Sequence, residues 1–511
     1  MAFVVLTALA LVSIDIWWLR EFRAGYPLTV DEAGYLTIAF DYSAEFKSGG
    51  FPGLWDAFLR QGGIQAPLLP LVTVPILLSS GQEVMSSFLA VEAFFVLLIV
   101  ASYGIGSRLA NRSYGCLTAV VVASIPAVTE FTRQYHFAVP SAALYIAATY
   151  ALLRSDGLSH RRWALAWGLA LGLTTLARTV TLALVPGLLA AAALQIAILP
   201  RGRAERMLNF LLGVALAAAT ALLWYGPNYP SVFEYLTSYG YGEASHYFGT
   251  GRSIITFDFW TVRLVEAVNR GVHVPLAAIL LVTLIGGGFR ATGHLKRRGA
   301  VRKMVISGLQ DDRGIVVLVV AAGYFALTSS RNEGTGFFLP LLPLVVVLAL
   351  ASLAAQPSRP LRALATGTFV IIAILNVGMN ASVVPALSNP LLTDLMGFRV
   401  SLGIRTYMQD AGYDVGPSTA RFPDVHRGWQ VLDREVAAFI IELAAGRGRR
   451  PYVAFALAGP SIQHQLRRAH GAREPRLSDR VWAASIDHQR RQHCSLSQLL
   501  GLNRAEHPGD R

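Results

Sequence analysis

Charge is scarce in this chain. Only 15% of its 511 residues are Asp, Glu, Lys or Arg, where a soluble domain carries about a quarter. Cysteine is scarcer still: Cys116 and Cys494 are the only two, and their distance in sequence argues against a disulfide framework. No zinc-ligand spacing, phosphate loop, dinucleotide fingerprint or internal repeat is present. The opening stretch "MAFVVLTALALVSIDIWWLREF" has neither a basic leader nor a small-residue cleavage site. It reads as a first membrane helix rather than a removable signal peptide.

What fills the chain is apolar surface. Hydrophobic residues make up 54% and the mean hydropathy is +0.47. They fall in blocks such as "ALAWGLALGLTTLA" and "LVPGLLAAAALQIAIL", apolar on every side, which suits helices facing lipid or other buried helices. The expected class is an all-α polytopic membrane protein. A span needs about 20 apolar residues, and about eleven are expected, at 2–19, 87–107, 114–131, 140–153, 163–177, 179–199, 207–226, 274–289, 315–329, 336–355 and 363–385. From 388 to 511 the composition turns polar and predicts a small α/β domain, leaving 1–387 as the transmembrane unit.

The net charge of +13 is carried largely by compact basic loops and does not point to nucleic acid. "SRLANR", "RSDGLSHRR", "RGRAER", "RATGHLKRRGAVRK" and "PSRPLR" all fall on one side if the Pro-rich stretch 66–80 lies at the interface without crossing. The positive-inside rule makes that side cytoplasmic. Arg20 and Arg23 dissent, since they follow the first helix on the opposite side.

The rare charges then gather at the outer face. Asp31 and Glu32 open the first outer loop in "YPLTVDEAGYL". Glu130, Arg133 and His136 lie in "TEFTRQYHFAVP", Arg178 interrupts "LTTLARTVTLALVP", His246 lies in "GEASHYFGTGR", and Arg331 in "TSSRNEGTGFFLPLLP". Charges beside hydrocarbon are costly unless paired or solvated, about 2.5–3.5 kcal/mol at mid-membrane and less toward the edge, so their convergence implies a wet cavity. A carboxylate there can act as a general base, and arginines match phosphate oxygens. Outside a membrane an activated donor must travel on lipid, and a polyprenyl-phosphate sugar meets each requirement. The ordinary alternatives are an arginine snorkelling to headgroups, a helix cap at Asp31 with Glu32 in the first turn, and plain solvation of His246 or of the Glu130–His136 group.

At these residues the chain resembles GT-C-fold glycosyltransferases, the superfamily of protein O-mannosyltransferases and lipid A aminoarabinose transferases. Four passages carry the likeness: "LTVDEAGYLTIAFDY", "GGIQAPLLPLVTVPILLSSG", "RRWALAWGLALGLTTLARTVTLALVPG" and "SSRNEGTGFFLPLLPL". The resemblance implies Asp31 as the catalytic carboxylate with Glu32 beside it, and Arg178 and Arg331 as ligands of donor phosphate. It implies inverting transfer, at the extracytoplasmic face of the cell membrane, from a polyprenyl-phosphate sugar to a glycan, lipid or protein acceptor. Many relatives have a second acid just before the Pro of the second outer loop; here Val139 stands there, with Glu130 or His136 as substitutes. Arg133, His136 and His246 are candidate substrate contacts. The Lys that often precedes the juxtamembrane Pro pair is replaced by Gln65-Ala66. Some members use a divalent cation (Mg2+ or Mn2+), and this sequence leaves a metal undecided. The rival reading is a lipid-linked sugar flippase or transporter, with a non-catalytic assembly subunit behind it.

Overall fold

The computed structural model describes residues 2–23, 28–60, 64–81, 83–199, 202–246, 253–296, 311–332, 334, 336–380, 392–395 and 398–401. It is helical almost throughout. Five helices among the described residues are long and apolar enough to cross a membrane, or seven if two sharply bent pairs each count as one span. The chain is a multi-pass membrane protein. The lower count has a local cause: several expected spans are present as helices of only 13 to 17 residues, such as Ala138–Arg154 and Leu342–Ala354. Most of the stretch 388–511, where a small α/β domain is expected, lies outside the described residues; within it an antiparallel pair of four-residue strands, Leu392–Leu395 with Phe398–Ser401, is described.

The first helix, α1 (Ala2–Trp18), leads through a π-turn at Leu19–Arg23. Next comes α2 (Val30–Arg60), broken at Gly50, where φ is +62°. Its first turn is closed by a capping box. The Glu32 backbone N–H donates to Thr29 Oγ1 at 3.3 Å, and the Thr29 N–H donates to Glu32 Oε2 at 2.8 Å, so the pattern Thr-x-x-Glu satisfies two donors that a helix end leaves open. The Pro-rich stretch forms α3 (Leu68–Ser79), buried on one side, with Thr73 and Tyr135 hydroxyls 2.7 Å apart. The long helix α4 (Phe88–Leu109) follows. The span expected at 114–131 is split into α5 (Arg112–Ala123) and α6 (Pro126–Thr132), which meet at 62°. Pro126 begins α6, where its missing N–H does no harm.

α7 (Ala138–Arg154) and α8 (Arg161–Ala177) form a hairpin. α8 stops because Arg178 is extended (φ −158°, ψ 127°), and a 3₁₀ turn at Thr179–Leu184 follows before α9 (Val185–Ile198). Thr181 secures the break, its hydroxyl donating to the carbonyls of Arg178 and Thr174 at 2.6 and 2.8 Å. α10 (Arg203–Gly240) has 38 residues, a length of about 57 Å at 1.5 Å per residue. It lies against α8 through small residues. Gly168 touches the Gly213 backbone, and a Cβ on Gly172 would stand 2.7 Å from the Ala217 carbonyl oxygen. Such close backbone approach is how membrane helices gain packing that the hydrophobic effect does not supply.

Two buried ion pairs fasten α1 to the rest. Asp15, 3% exposed, accepts from Arg133 Nε at 2.8 Å and from the Thr132 hydroxyl at 2.8 Å, and Arg133 also lies 4.3 Å from the Trp18 ring centre. Arg23 donates to Glu32 at 2.8 Å with both side chains sealed from solvent. The dissenting Arg23 of the sequence is therefore bound to an acid in the core.

Candidate active site

The start of α2, the turn between α6 and α7, and the break after α8 meet at one place. Asp31 stands on the first turn of α2 with its side chain 57% exposed, and its Oδ2 lies 3.8 Å from His136 Nε2. That separation is longer than a hydrogen bond, so the contact is electrostatic as it stands; such contacts in unliganded sites commonly tighten only when substrate arrives. His136, directly after the tight turn that ends α6, is almost fully buried. Its ring lies between Phe131, 4.8 Å away and nearly parallel, and Phe137 at 3.9 Å. Arg178 is buried too, because the extended backbone there turns its guanidinium inward between the rings of Phe137 and Phe337, at 4.4 and 4.5 Å.

Their charges act on one another. The interaction with His136, and behind it the Arg178 charge, hold the Asp31 carboxyl below the usual carboxylate range, against a partial desolvation that pushes it up. Burial lowers the His136 pKa, with Asp31 opposing and Arg178 reinforcing the shift. Burial brings Arg178 down to about 10, so it remains a cation at neutral pH. The group therefore holds a carboxylate, a neutral imidazole and a desolvated guanidinium side by side.

Tyrosines and the Pro-rich stretch complete the wall. Tyr35, one turn after Asp31, faces Phe137 at 4.8 Å and accepts from the Ala66 backbone. Tyr235, from the C-terminal part of α10, brings its phenol near Arg178. A Cβ on Gly34 would stand 2.6 Å from Gln65 Nε2, and the Thr179 hydroxyl donates to the Ile64 carbonyl at 2.9 Å. The segment 64–67 is thus tied to both Asp31's helix and the residue after Arg178.

The other sequence candidates are placed differently. Glu32 is fully buried; besides Arg23 and Thr29 it accepts from the Tyr135 N–H at 3.0 Å, so its carboxylate holds the scaffold under Asp31. Arg133 is engaged by Asp15. Glu130 accepts weakly from Gln134 at 3.5 Å and lines a separate cavity of about 60 Å³ with Phe131, Arg263, Arg270 and Phe337. Arg331 is half-buried, its backbone N–H bonded to the Gly240 carbonyl at the end of α10. Arg263 grips the same loop through the Ser330 and Asn332 carbonyls, both at 2.7 Å. His246 closes the short turn after α10, and its side chain lies outside the described residues. Among the described residues no three His, Cys, Asp or Glu side chains gather as a metal ion would require.

Sequence reasoning missed Tyr235, the two phenyl rings around Arg178, and Asp15. The last left a signal, a lone acid in the apolar run "LVSIDIWW", of the kind that marks a buried partner.

No family model matches the chain, and no curated protein is a significant match. Among solved structures, the chain is similar to crystal structures of ArnT from Cupriavidus metallidurans. With the apo form the TM-score is 0.49 at 17% identity over 75% of this chain. With the form bound to undecaprenyl phosphate it is 0.49 at 16% identity over 76%. The chain spans 65% and 66% of the length of those two proteins.

Proposed function

We propose that this protein is a GT-C-type membrane glycosyltransferase, moving a sugar from a polyprenyl-phosphate donor to an extracytoplasmic glycan, lipid or protein acceptor with inversion. One observation carries the reading: a solvent-facing carboxylate, Asp31, beside a buried imidazole and a buried guanidinium held between two aromatic rings. The basic loops support an extracytoplasmic site, since Arg108, Arg154, Arg161, Arg203 and Arg206 all lie at the helix ends remote in sequence order from Asp31, His136 and Arg178.

In this reaction Asp31 takes the proton of an acceptor hydroxyl as that oxygen attacks the anomeric carbon. The bond from that carbon to the phosphate oxygen breaks, and its electron pair leaves with the polyprenyl phosphate. The phosphate gains one negative charge in the process. A cation already desolvated beside it, as Arg178 is, stabilises that charge without reorganisation, so the leaving group needs no acid. The aromatic rings flanking Arg178 limit water around the charge and strengthen the interaction.

The test is Asp31→Asn, assayed in detergent with a lipid-linked sugar. Loss of turnover by about 10²–10⁴, the usual worth of a general base, with normal folding is expected; full activity would refute the reading. Product formed by wild-type protein without any sealed compartment would separate a transferase from a flippase.

A further inference from the structure

His136 is the most confined side chain in the site. The Ala138 backbone N–H donates to its Nδ1 at 3.2 Å, so Nδ1 must present a lone pair. A neutral ring then carries its one proton on Nε2, the nitrogen that faces Asp31 Oδ2. Phe131 and Phe137 pack against the ring, with centroids at 4.8 and 3.9 Å, which restricts its rotation. The turn that presents it is fixed as well, because the adjacent Tyr135 is bonded through its N–H to Glu32 and through its hydroxyl to Thr73.

We infer that His136 is a positioning residue for Asp31: as the acceptor binds, its Nε2–H closes the 3.8 Å separation and holds Oδ2 of the carboxylate, orienting the other oxygen, Oδ1, toward the acceptor's proton. This rests on the proposed role of Asp31 as base and extends it to a second residue. The chemistry explains why the imidazole is locked in one tautomer although it is too enclosed to serve as the base itself. Asp31 is exposed and rotates about its own side chain; a donor on one oxygen reduces that freedom and keeps the lone pairs of the other available. An N–H donor also favours the charged form of the acid.

The charged and titratable groups facing this pair are Glu32 on the same helix, Arg178 after α8, and Tyr35 and Tyr235 from α2 and α10. Burial, and behind it the Arg178 charge, resist protonation of the imidazole, so at neutral pH the ring is a neutral donor beside an ionised Asp31. His136 moves no proton in the reaction.

The contrast between two amides tests this. Gln at 136 sets an N–H near the place of Nε2, whereas Asn sets one near Nδ1 and does not reach Asp31. We expect His136→Gln to keep turnover within about threefold of wild type and His136→Asn to lose about tenfold or more, a fraction of what a general base contributes. His136→Phe, which preserves the stacked rings, should behave as Asn does. In the Asn and Phe variants the acid limb of kcat against pH should move to higher pH, because Asp31 loses a group that holds it ionised, while KM for the donor stays within about twofold. Equal turnover in the Gln and Asn variants would overturn the proposal. So would a Phe variant with wild-type turnover and acid limb. Asp31→Asn run alongside separates the two ideas: if it is active, the base assignment itself fails; if it is inactive while all three His136 variants match wild type, only the positioning role fails.

Discussion

Replacing Glu32 by Gln changes one atom in the core and removes one charge. The carboxylate it replaces is fully buried and makes three close contacts: Arg23 Nη2 at 2.8 Å, the Thr29 N–H at 2.8 Å and the Tyr135 N–H at 3.0 Å. Gln keeps an oxygen for one or two of these, but its amide group cannot neutralise Arg23. Arg23 is itself 2% exposed, so bulk water does not replace the charge that Glu32 supplies. Removing one partner of such a buried pair costs about 3–5 kcal/mol, whereas removing both charges together is often near neutral. Glu32→Gln should therefore destabilise by that amount in SDS unfolding titrations of the purified protein. The double variant Glu32→Gln with Arg23→Met should recover most of the loss. Activity should follow stability, being low in the single variant and partly restored in the double. A single variant as stable as wild type would refute the reasoning. A double variant less stable than the single would do the same. If activity vanished in both while stability returned in the double, Glu32 would have a chemical role beyond holding the scaffold.

Further outcomes follow from the site and packing already described. Gly168→Ala sets a methyl group against the Gly213 backbone, a contact no rotamer relieves, and should cost roughly 1–3 kcal/mol in the same titration; unchanged stability would mean that α8 and α10 are not so closely apposed. The depressed Asp31 pKa means that its carboxylate survives acidification better than an ordinary one, so the acid limb of turnover should lie below the usual carboxylate range. Its share of stability is present above the unfolded-state pKa and is lost as pH falls through the lower folded value. For His136, whose pKa is also lowered, the unfolded chain takes up the proton first, so stability should begin to fall below about pH 6.5. A limb displaced to higher pH than a free carboxylate would contradict the stabilisation of the Asp31 carboxylate by His136 and Arg178.

Much of this arrangement was legible in the chain, but unevenly. Apolar blocks announced the helices, and the positions of Asp31, His136 and Arg178 at predicted span ends announced that they share one face. The capping box at Thr29–Glu32 was written locally too, though the adjacent acids "DE" invited a catalytic reading of both. What local pattern does not carry is who pairs with whom. Arg133 meets Asp15 across 118 residues, and nothing near "TRQYH" names that partner. Arg23 resembled a topological exception only because its partner, Glu32, was assigned elsewhere. Phe337 closes over Arg178 from a segment 159 positions later, which no periodicity encodes. Span lengths were misjudged where a helix is interrupted without a change in hydropathy, as at Ser124–Pro126, whereas the charge of Arg178 marked the junction between the spans at 163–177 and 179–199.

The clasp between Asp15 and Arg133 has a consequence for biogenesis. A ribosome adds about 5–20 residues each second, so α1 waits about 6–24 s after Asp15 is made before Arg133 emerges to meet it. During that interval a carboxyl group sits near one end of a newborn membrane segment without the guanidinium that later neutralises it. The first helix is therefore held only provisionally until α6 is made, and its final seat is granted by a residue that the cell has yet to translate.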